Sequence, residues 1–133
     1  MQPSTRPAVK RSPRRPPPKI VLKSQDEKTF EAHVKRLARF YGYCGFHISF
    51  SHGAVTGVHT LGLGDDHYDS NGFPDWIFVG HGKVLFRELK AVGKYLTQDQ
   101  KRWHRTLTLA GQDVSVWRPT DEDLIIDTFK AVT

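Results

Sequence analysis

The sequence predicts an α/β domain in which a mixed β-sheet is flanked by helices. Segments with apolar residues at helical spacing alternate with short apolar runs of strand length. Capping-box patterns precede two of the helical segments, and a short Gly-His-Gly turn joins two of the strands. Along the chain these segments have the order αβββαβα, which suggests a mixed sheet with helices packed against it.

The first 23 residues differ in composition from the rest of the chain. They contain seven of the 20 basic residues, none of the 14 acidic residues and six of the eight prolines, so residues 24–133 keep 13 basic and 14 acidic residues. Proline and like charge keep such a segment extended. We therefore predict an unfolded basic tail over residues 1–23 and one nearly neutral domain over residues 24–133. The tail could contact nucleic-acid phosphates, through Arg14, Arg15 and Lys19, or could be a solubilising leader.

Composition also excludes several classes of protein. No apolar run approaches the roughly 20 residues that a membrane span needs, and residues 1–23 lack the apolar segment of a secretory signal peptide. The single cysteine, Cys44, allows neither an intrachain disulfide framework nor a Cys-based zinc site. We expect no contact with membranes, and the cytoplasm, which is reducing, as the compartment.

The first predicted helix follows Ser24. Ser24-Gln25-Asp26-Glu27 fits a capping box, with Ser24 as the N-cap and Glu27 at the third helical position. Apolar residues then recur at helical spacing until Gly42, which predicts the end of the helix. They are Phe30, Val34, Leu37 and Tyr41. Glu27 continues this stripe, so it is either a cap or a polar residue aimed towards a site.

A strand is predicted over residues 44–50, followed by a long loop over residues 51–73. His47 in the strand is either structural or close to a functional site. Long loops in compact domains are usually functional or disordered. The imidazoles and carboxylates of this loop lack a fixed metal-ligand spacing, so we expect a polar loop beside a cleft, with Asp69 or Ser70 near Asp75, in preference to a transition-metal site. The residues concerned are His52, His59, Asp65, Asp66, His67 and Asp69.

Two strands, over residues 75–79 and 83–90, join through a turn short enough for a β-hairpin. Asp75 opens the first strand, and Glu88 and Lys90 close the second. Side chains two apart on a strand share a face, so Glu88 and Lys90 should point the same way. Carboxylates are ligands that Mg²⁺ prefers, and the bound ion can activate water. The alternative is that these residues are ordinary charges at strand ends.

A second helix is predicted from Thr97, with Gln100 as the third residue of another capping box. Gln100 also continues an apolar stripe, formed by Trp103, Leu107 and Ala110, so it could be a cap or could reach the site. Gly111 predicts the helix end. A strand over residues 114–117 and a helix from residue 120 complete the domain. The cations Lys94 and Lys101 could contact phosphates or could be solvated surface charges.

Five short motifs occur in a characteristic order and spacing. They are Glu27-Lys28-Thr29-Phe30, Gly72-Phe73-Pro74-Asp75, Glu88-Leu89-Lys90, Leu96-Thr97-Gln98-Asp99-Gln100 and Val116-Trp117-Arg118-Pro119. In these motifs the chain resembles the PD-(D/E)xK nuclease superfamily, and within it the VRR-Nuc branch, which includes small phage proteins described as Holliday junction resolvase-like. The resemblance covers about residues 24–127.

This resemblance implies a restriction-endonuclease-like core and a Mg²⁺-dependent endonuclease that hydrolyses DNA phosphodiester bonds. It implies that Asp75, Glu88 and the backbone carbonyl of Leu89 bind the metal, and that Mn²⁺ can replace Mg²⁺. Glu27 would reach a water molecule or a second metal, and Gln100 would orient water or phosphate. Lys90 would orient or deprotonate water, or would offset charge on the phosphate.

The expected substrate is branched DNA such as a Holliday junction. Cutting both strands of a junction needs two active sites, so a homodimer is expected for that substrate. The resemblance to phage proteins would place a phage-encoded chain in the host cytoplasm. The alternative functions are a structure-specific DNA-binding protein that does not cleave, and a nuclease that nicks or processes the ends of other DNA structures.

Overall fold

The computed structural model describes residues 15–17, 26–48, 50–51, 54–55 and 71–130. Within these ranges the chain forms three α-helices, a short 3-10 helix and six strands. In chain order they are α1 (Glu27–Phe40), β1 (Cys44–His47), β2 (Phe50–Ser51), β3 (Ala54–Val55), β4 (Trp76–Gly80), β5 (Lys83–Leu89), α2 (Gln98–Leu109), β6 (Asp113–Trp117), the 3-10 helix (Pro119–Asp121) and α3 (Glu122–Lys130). None of the helices in the described ranges is long and apolar enough to cross a membrane.

Four of the strands form a mixed sheet with the order β1–β4–β5–β6. β1 pairs antiparallel with β4, β4 pairs antiparallel with β5, and β5 pairs parallel with β6. Helices flank this sheet, since α1 contacts β5 and α3 while α2 contacts β6. The predicted α/β class with a mixed sheet and flanking helices is confirmed.

The segment after β1 differs from the prediction. The strand predicted to reach residue 50 ends at His47, and β2 and β3 form a separate antiparallel pair where a loop was predicted. Beyond the last pair of β1, His47 with Trp76, one further backbone hydrogen bond of 2.8 Å joins the N–H of Ile48 to the carbonyl of Asp75. The predicted loop residues from His59 to Ser70, together with His52, lie outside the described residues.

Aromatic side chains fill the core on one face of the sheet. Trp76 and Phe78 of β4 stack with their rings almost parallel at 5.3 Å, and Trp117 of β6 meets Phe129 of α3 edge-on at 5.2 Å. α1 adds an apolar stripe that includes Phe30, which is fully buried. Full burial of side chains of this size contributes about 1.5–3 kcal/mol each. This packing holds the ends of β4 and β5 in place, and the candidate site lies there.

α1 begins later than predicted. Asp26 is its N-cap, because its Oδ1 accepts a hydrogen bond of 2.7 Å from the backbone N–H of Thr29. Glu27 therefore occupies the first helical position. The predicted capping box, with Ser24 as N-cap and Glu27 at the third position, is wrong, and Ser24 itself lies outside the described residues. Asp and Ser are comparable N-cap residues, and in the structure the Asp26 side chain makes the capping hydrogen bond.

The β4–β5 hairpin and α2 form as predicted. His81 and Gly82 make the turn with positive φ angles of 50° and 75°, as a two-residue hairpin turn requires. At the start of α2, Thr97 Oγ1 accepts from the backbone N–H of Gln100 at 3.2 Å, and Gln100 Oε1 accepts from the backbone N–H of Thr97 at 2.8 Å. This reciprocal pair is the predicted capping box.

Candidate metal and catalytic site

Asp75 and Glu88 meet at the open end of the β4–β5 hairpin. Trp76 pairs with Arg87 in the antiparallel ladder, so the residues beyond that pair, Asp75 and Glu88, come opposite each other. The backbone N–H of Asp75 donates to Glu88 Oε2 at 3.3 Å, and the backbone N–H of Leu89 donates to Asp75 Oδ1 at 3.4 Å. Each predicted carboxylate is thus oriented by the backbone of the opposite strand.

Gln100 reaches the site from the first turn of α2. Its Nε2 donates a hydrogen bond of 2.9 Å to Glu88 Oε1, while its Oε1 completes the capping box with Thr97. Gln100 therefore completes the helix cap and contacts Glu88 at the same time, because the oxygen and the nitrogen of its amide make the two hydrogen bonds separately. The cap also fixes the rotamer that presents the amide nitrogen to Glu88.

Gly72 sets the distance between α2 and the hairpin. Its φ is +86°, and a Cβ added there would lie 2.4 Å from the carbonyl carbon of Asp99 and 2.5 Å from the backbone nitrogen of Gln100. Beside it, Asn71 Nδ2 donates to Asp99 Oδ2 at 3.2 Å. The turn before Asp75 therefore packs backbone to backbone against the first turn of α2, and only glycine fits there.

Glu31 and His47 approach Asp75 from the side of α1. His47 Nε2 lies 3.2 Å from Glu31 Oε1 and 3.6 Å from Asp75 Oδ2. The indole Nε1 of Trp76 donates a hydrogen bond of 2.6 Å to Glu31 Oε1. The proximity of His47 to the site, left open by the sequence, is observed.

Glu31 was missed by the sequence reasoning, which selected Glu27 one turn earlier. Glu27 is exposed at the start of α1 and acts on Glu88 through its charge. The two glutamates are four residues apart and lie on the same side of the helix. A carboxylate at that spacing from a predicted site residue was the available signal.

Asp75 connects two clusters that lie on opposite faces of the sheet. Successive residues of a strand face opposite ways, so Trp76, which contacts Glu31, and Glu88, which contacts Gln100, belong to different faces. Asp75 precedes the first residue of β4 and offers one oxygen to each cluster. Its Oδ1 faces the Leu89 N–H, and its Oδ2 faces His47.

Burial makes both carboxylates hard to ionise. Burial, together with the negative charge of Glu31, raises the pKa of Asp75 to about 6, although the Leu89 N–H and His47 oppose the shift. Burial and the charge of Asp75 raise the pKa of Glu88 to about 8, with Lys90 acting in the opposite direction. Close carboxylates that cannot both ionise easily are typical of functional sites and favour a bound cation.

Of the predicted cations that the structure describes, Lys90 is the one whose charge acts on the carboxylate pair. Lys90, at the end of β5, is half-buried and lowers the pKa of Glu88 through its charge. Lys94 and Lys101 are exposed, and the backbone carbonyl of Lys94 accepts a hydrogen bond of 2.8 Å from Arg118. Of the tail candidates, Arg15 is exposed, whereas Arg14 and Lys19 lie outside the described residues.

A cleft of about 400 Å³ opens over the carboxylate pair. Its lining includes His47, Asp75, Glu88 and Gln100 together with the turn at residues 71–73. The donor set suits a divalent cation, because oxygen ligands converge where negative charge is poorly compensated. Asp75 and Glu88 are the residues that would hold the ion. The arrangement therefore presents two carboxylates with raised pKa values at the wall of the cleft.

Comparison with known proteins gives no further information. No model of a protein family matches the chain, and neither curated proteins nor solved structures give a significant match.

Proposed function

We propose that this protein is a metal-dependent endonuclease that hydrolyses DNA phosphodiester bonds, with branched DNA such as Holliday junctions as its substrate. The observation that carries the proposal is the Asp75–Glu88 pair, which is held at a strand end by hydrogen bonds and is contacted by Gln100 from the following helix. The resemblance of the motifs to PD-(D/E)xK nucleases supports it. We include in the proposal that the mixed sheet and its helices are a restriction-endonuclease-like core.

The proposed metal is Mg²⁺, with Mn²⁺ as a substitute. Asp75 and Glu88 would hold it through carboxylate oxygens, and the backbone carbonyl of Leu89 would add a third oxygen. When bound, the ion would neutralise charge on the phosphate and lower the pKa of a water molecule. The raised pKa values of both carboxylates support this assignment, since a dication stabilises their ionised forms.

The side chains around the pair would position the reactants. Lys90 supplies a positive charge near Glu88 and would orient the attacking water or offset charge on the phosphate. Gln100 Nε2 holds Glu88 Oε1 and keeps that carboxylate in one orientation. Fixed donors and charges of this kind accelerate a reaction because they need no rearrangement in the transition state.

The loop between β5 and α2 is the proposed DNA-contacting surface next to the cleft. Lys94 and Tyr95 are exposed on this loop, and Lys101 is exposed on the first turns of α2. Arg118 holds the loop by donating to the carbonyl of Lys94. Exposed lysines would contact phosphates, and an exposed aromatic ring can stack on an unpaired base. A junction substrate would also require a homodimer with two such sites.

A cleavage assay tests the proposal. A labelled four-way junction and a linear duplex of the same sequences are incubated with wild type, Asp75→Asn or Glu88→Gln, in Mg²⁺ or Mn²⁺. We expect cleavage by wild type and a loss of at least about 100-fold in either variant. Asp127→Asn, which changes an exposed carboxylate on α3, is the matched control and should cut normally.

Binding measurements separate the alternatives. If wild type binds the junction but cuts no DNA with either metal, the enzyme proposal is wrong and a non-cleaving DNA-binding function replaces it. If it cuts nicked or linear DNA as fast as the junction, the activity stands and the branched substrate is wrong. Light scattering of the free protein and of its junction complex tests the homodimer.

A further inference from the structure

We propose that Glu31, His47 and Asp75 form a second cation site, which binds a divalent transition metal such as Mn²⁺, Co²⁺ or Zn²⁺ in preference to Mg²⁺. This deepens the proposed function, because Asp75 would belong to both sites, but the proposal concerns metal binding and can be tested without DNA. The three residues come from α1, from β1 and from the residue before β4.

The distances suit coordination of a single ion. One ligand atom from each residue lies within 4.8 Å of the others, and His47 Nε2 is 3.2 Å from Glu31 Oε1 and 3.6 Å from Asp75 Oδ2. Ligand atoms about 2.1 Å from a metal are roughly 3.0 Å apart in octahedral and roughly 3.4 Å apart in tetrahedral geometry. Little movement is therefore needed to place an ion between them.

The nitrogen ligand determines the class of metal. Mg²⁺ requires oxygen ligands and gives up its water reluctantly. Imidazole with two carboxylates suits Mn²⁺, Co²⁺ and Zn²⁺ instead. The Asp75–Glu88 pair on the other face of the sheet offers only oxygen atoms. The two clusters therefore have different metal preferences, although they share Asp75.

The surroundings of the cluster hold its ligands in place. Trp76 Nε1 donates to Glu31 Oε1 at 2.6 Å, and the His47 ring lies against the Trp76 ring at 5.0 Å. Trp76 is only 6% exposed and belongs to the aromatic core. Such supporting contacts orient metal ligands and commonly change metal affinity 10–100-fold when removed.

The cluster is accessible from two sides. His47 and Asp75 line the cleft over the carboxylate pair, and a second cleft of about 300 Å³ is lined by Glu31, His47 and Trp76. Lys28 and Lys35 also line this second cleft. Because both clefts reach the cluster, an ion could enter without any rearrangement of the core.

A protonated His47 between two carboxylates would explain the same distances without a metal, so the test must detect metal binding itself. Chelator-treated full-length protein is titrated with Mn²⁺ at about pH 7.5, where an ordinary imidazole is neutral. Electron paramagnetic resonance counts the bound ions, and pulsed measurements detect the nitrogen coupling of an imidazole ligand. The variants are His47→Ala, Glu31→Gln and Glu88→Gln, with His81→Ala as the control, since His81 is exposed at the far end of β4.

We expect nitrogen-coupled Mn²⁺ in wild type, in Glu88→Gln and in His81→Ala. His47→Ala should lose the nitrogen coupling and bind this ion at least about 10-fold more weakly, and Glu31→Gln should weaken it similarly. Mg²⁺ should displace the nitrogen-coupled ion only at concentrations at least about 10-fold above those of Mn²⁺.

Bound Mn²⁺ without nitrogen coupling, or the same Mn²⁺ affinity in His47→Ala and wild type, would overturn the proposal. If His47→Ala does not fold, the Mn²⁺ affinity of Glu31→Gln provides the test instead, because both residues would bind the same ion. The outcome is independent of cleavage. A chain that binds nitrogen-coupled Mn²⁺ but never cuts DNA would remove the proposed function and leave the second site standing.

Discussion

The first turns of α1 and α2 reach the carboxylate pair from opposite faces of the sheet, and they deliver different chemistry. α2 brings a neutral amide, Gln100, whose nitrogen donates to Glu88 while its oxygen caps the helix. α1 is capped separately by Asp26 and brings a charged carboxylate, Glu31, towards His47 and Asp75. The α2 side is therefore neutral and fixed by a capping box, whereas the α1 side adds negative charge that a cation can balance.

Asp75 belongs to both sides, because its Oδ1 accepts from the Leu89 N–H beside Glu88 and its Oδ2 faces His47. Burial and a neighbouring carboxylate raise the pKa of both residues of the pair, with Glu31 acting on Asp75 and Asp75 acting on Glu88. A substitution on the α2 side should therefore change packing and orientation. A substitution on the α1 side should change charge and metal affinity.

The largest effect is expected on the α2 side, from Gly72→Ala. The new Cβ would collide with the backbone of Asp99 and Gln100, in a residue with positive φ. We expect a loss of about 3 kcal/mol in the free energy of unfolding. Gly93→Ala is the matched control, because its φ is +82° but an added Cβ would meet nothing within 4 Å.

Denaturant unfolding of both glycine variants measures this difference. Gly93→Ala should lose only about 1 kcal/mol, from backbone strain alone. Equal losses in the two variants would mean that the close approach of the turn to α2 does not hold the site together.

The next largest effect is the difference in cleavage rate between substitutions of Glu31 and of Glu27 on α1. Glu31→Gln should lower the rate of DNA cleavage by roughly 100-fold, or about 2.7 kcal/mol in the activation free energy, because it removes a charge beside Asp75. Glu27→Gln should change the rate only a few-fold, since Glu27 is exposed and acts on Glu88 through its charge. Single-turnover rates at saturating metal measure both. A larger effect at Glu27 would restore it as the α1 site residue.

Stability without metal should depend on pH through both carboxylates. Their pKa values are raised to about 6 and about 8 in the native state, so between about pH 4 and pH 8 the native state binds more protons than the unfolded state. The free energy of unfolding therefore falls as pH rises and levels off above about pH 8. Thermal unfolding in a chelator at several pH values measures this loss.

Asp75→Asn should flatten the pH dependence below about pH 6 and also lower the pKa of Glu88, because it removes the charge that helps to raise it. Glu88→Gln should flatten the dependence towards about pH 8. Saturating Mg²⁺ should raise the Tm of wild type more at high than at low pH, because the ion competes with protons. Burial lowers the pKa of His33 and of His104, which acts in the opposite direction, so the comparison is between wild type and the variants. The same pH dependence of Tm in Asp75→Asn, Glu88→Gln and wild type would contradict the assignment.

The smallest effect is expected from substitutions that distinguish the two roles of Gln100, in the helix cap and in the contact with Glu88. Gln100→Ala removes the Oε1 half of the capping box and the hydrogen bond to Glu88, whereas Thr97→Ala removes only the Oγ1 half of the capping box. Each should cost about 1 kcal/mol in stability, but only Gln100→Ala should lower cleavage, by about 10-fold. Tm and cleavage rate, measured together, separate the roles. Equal cleavage losses would show that Gln100 acts through the helix cap alone.

The elements predicted correctly from sequence are those with strong local signals. The turn at His81 and Gly82 needs positive φ, and the capping box of Thr97 and Gln100 is complete within four residues. The approach of Asp75 and Glu88 at the open end of the hairpin was also predicted, whereas the register came from the structure, in which Gly80 pairs with Lys83 and leaves a two-residue turn. These features depend on residues that are near one another in the chain.

The sequence by itself thus determined the α/β class, the hairpin and the residue types that converge at its open end. Asp26, and not Ser24, caps α1 through a local hydrogen bond that the sequence reading assigned to the wrong residue. Only the tertiary structure shows that Glu31 and His47 meet beside Asp75, because those contacts depend on how α1 and β1 pack around Trp76. Helical periodicity gives the buried stripe but not the position of the helix along its axis, and one turn of that position separates Glu27 from Glu31.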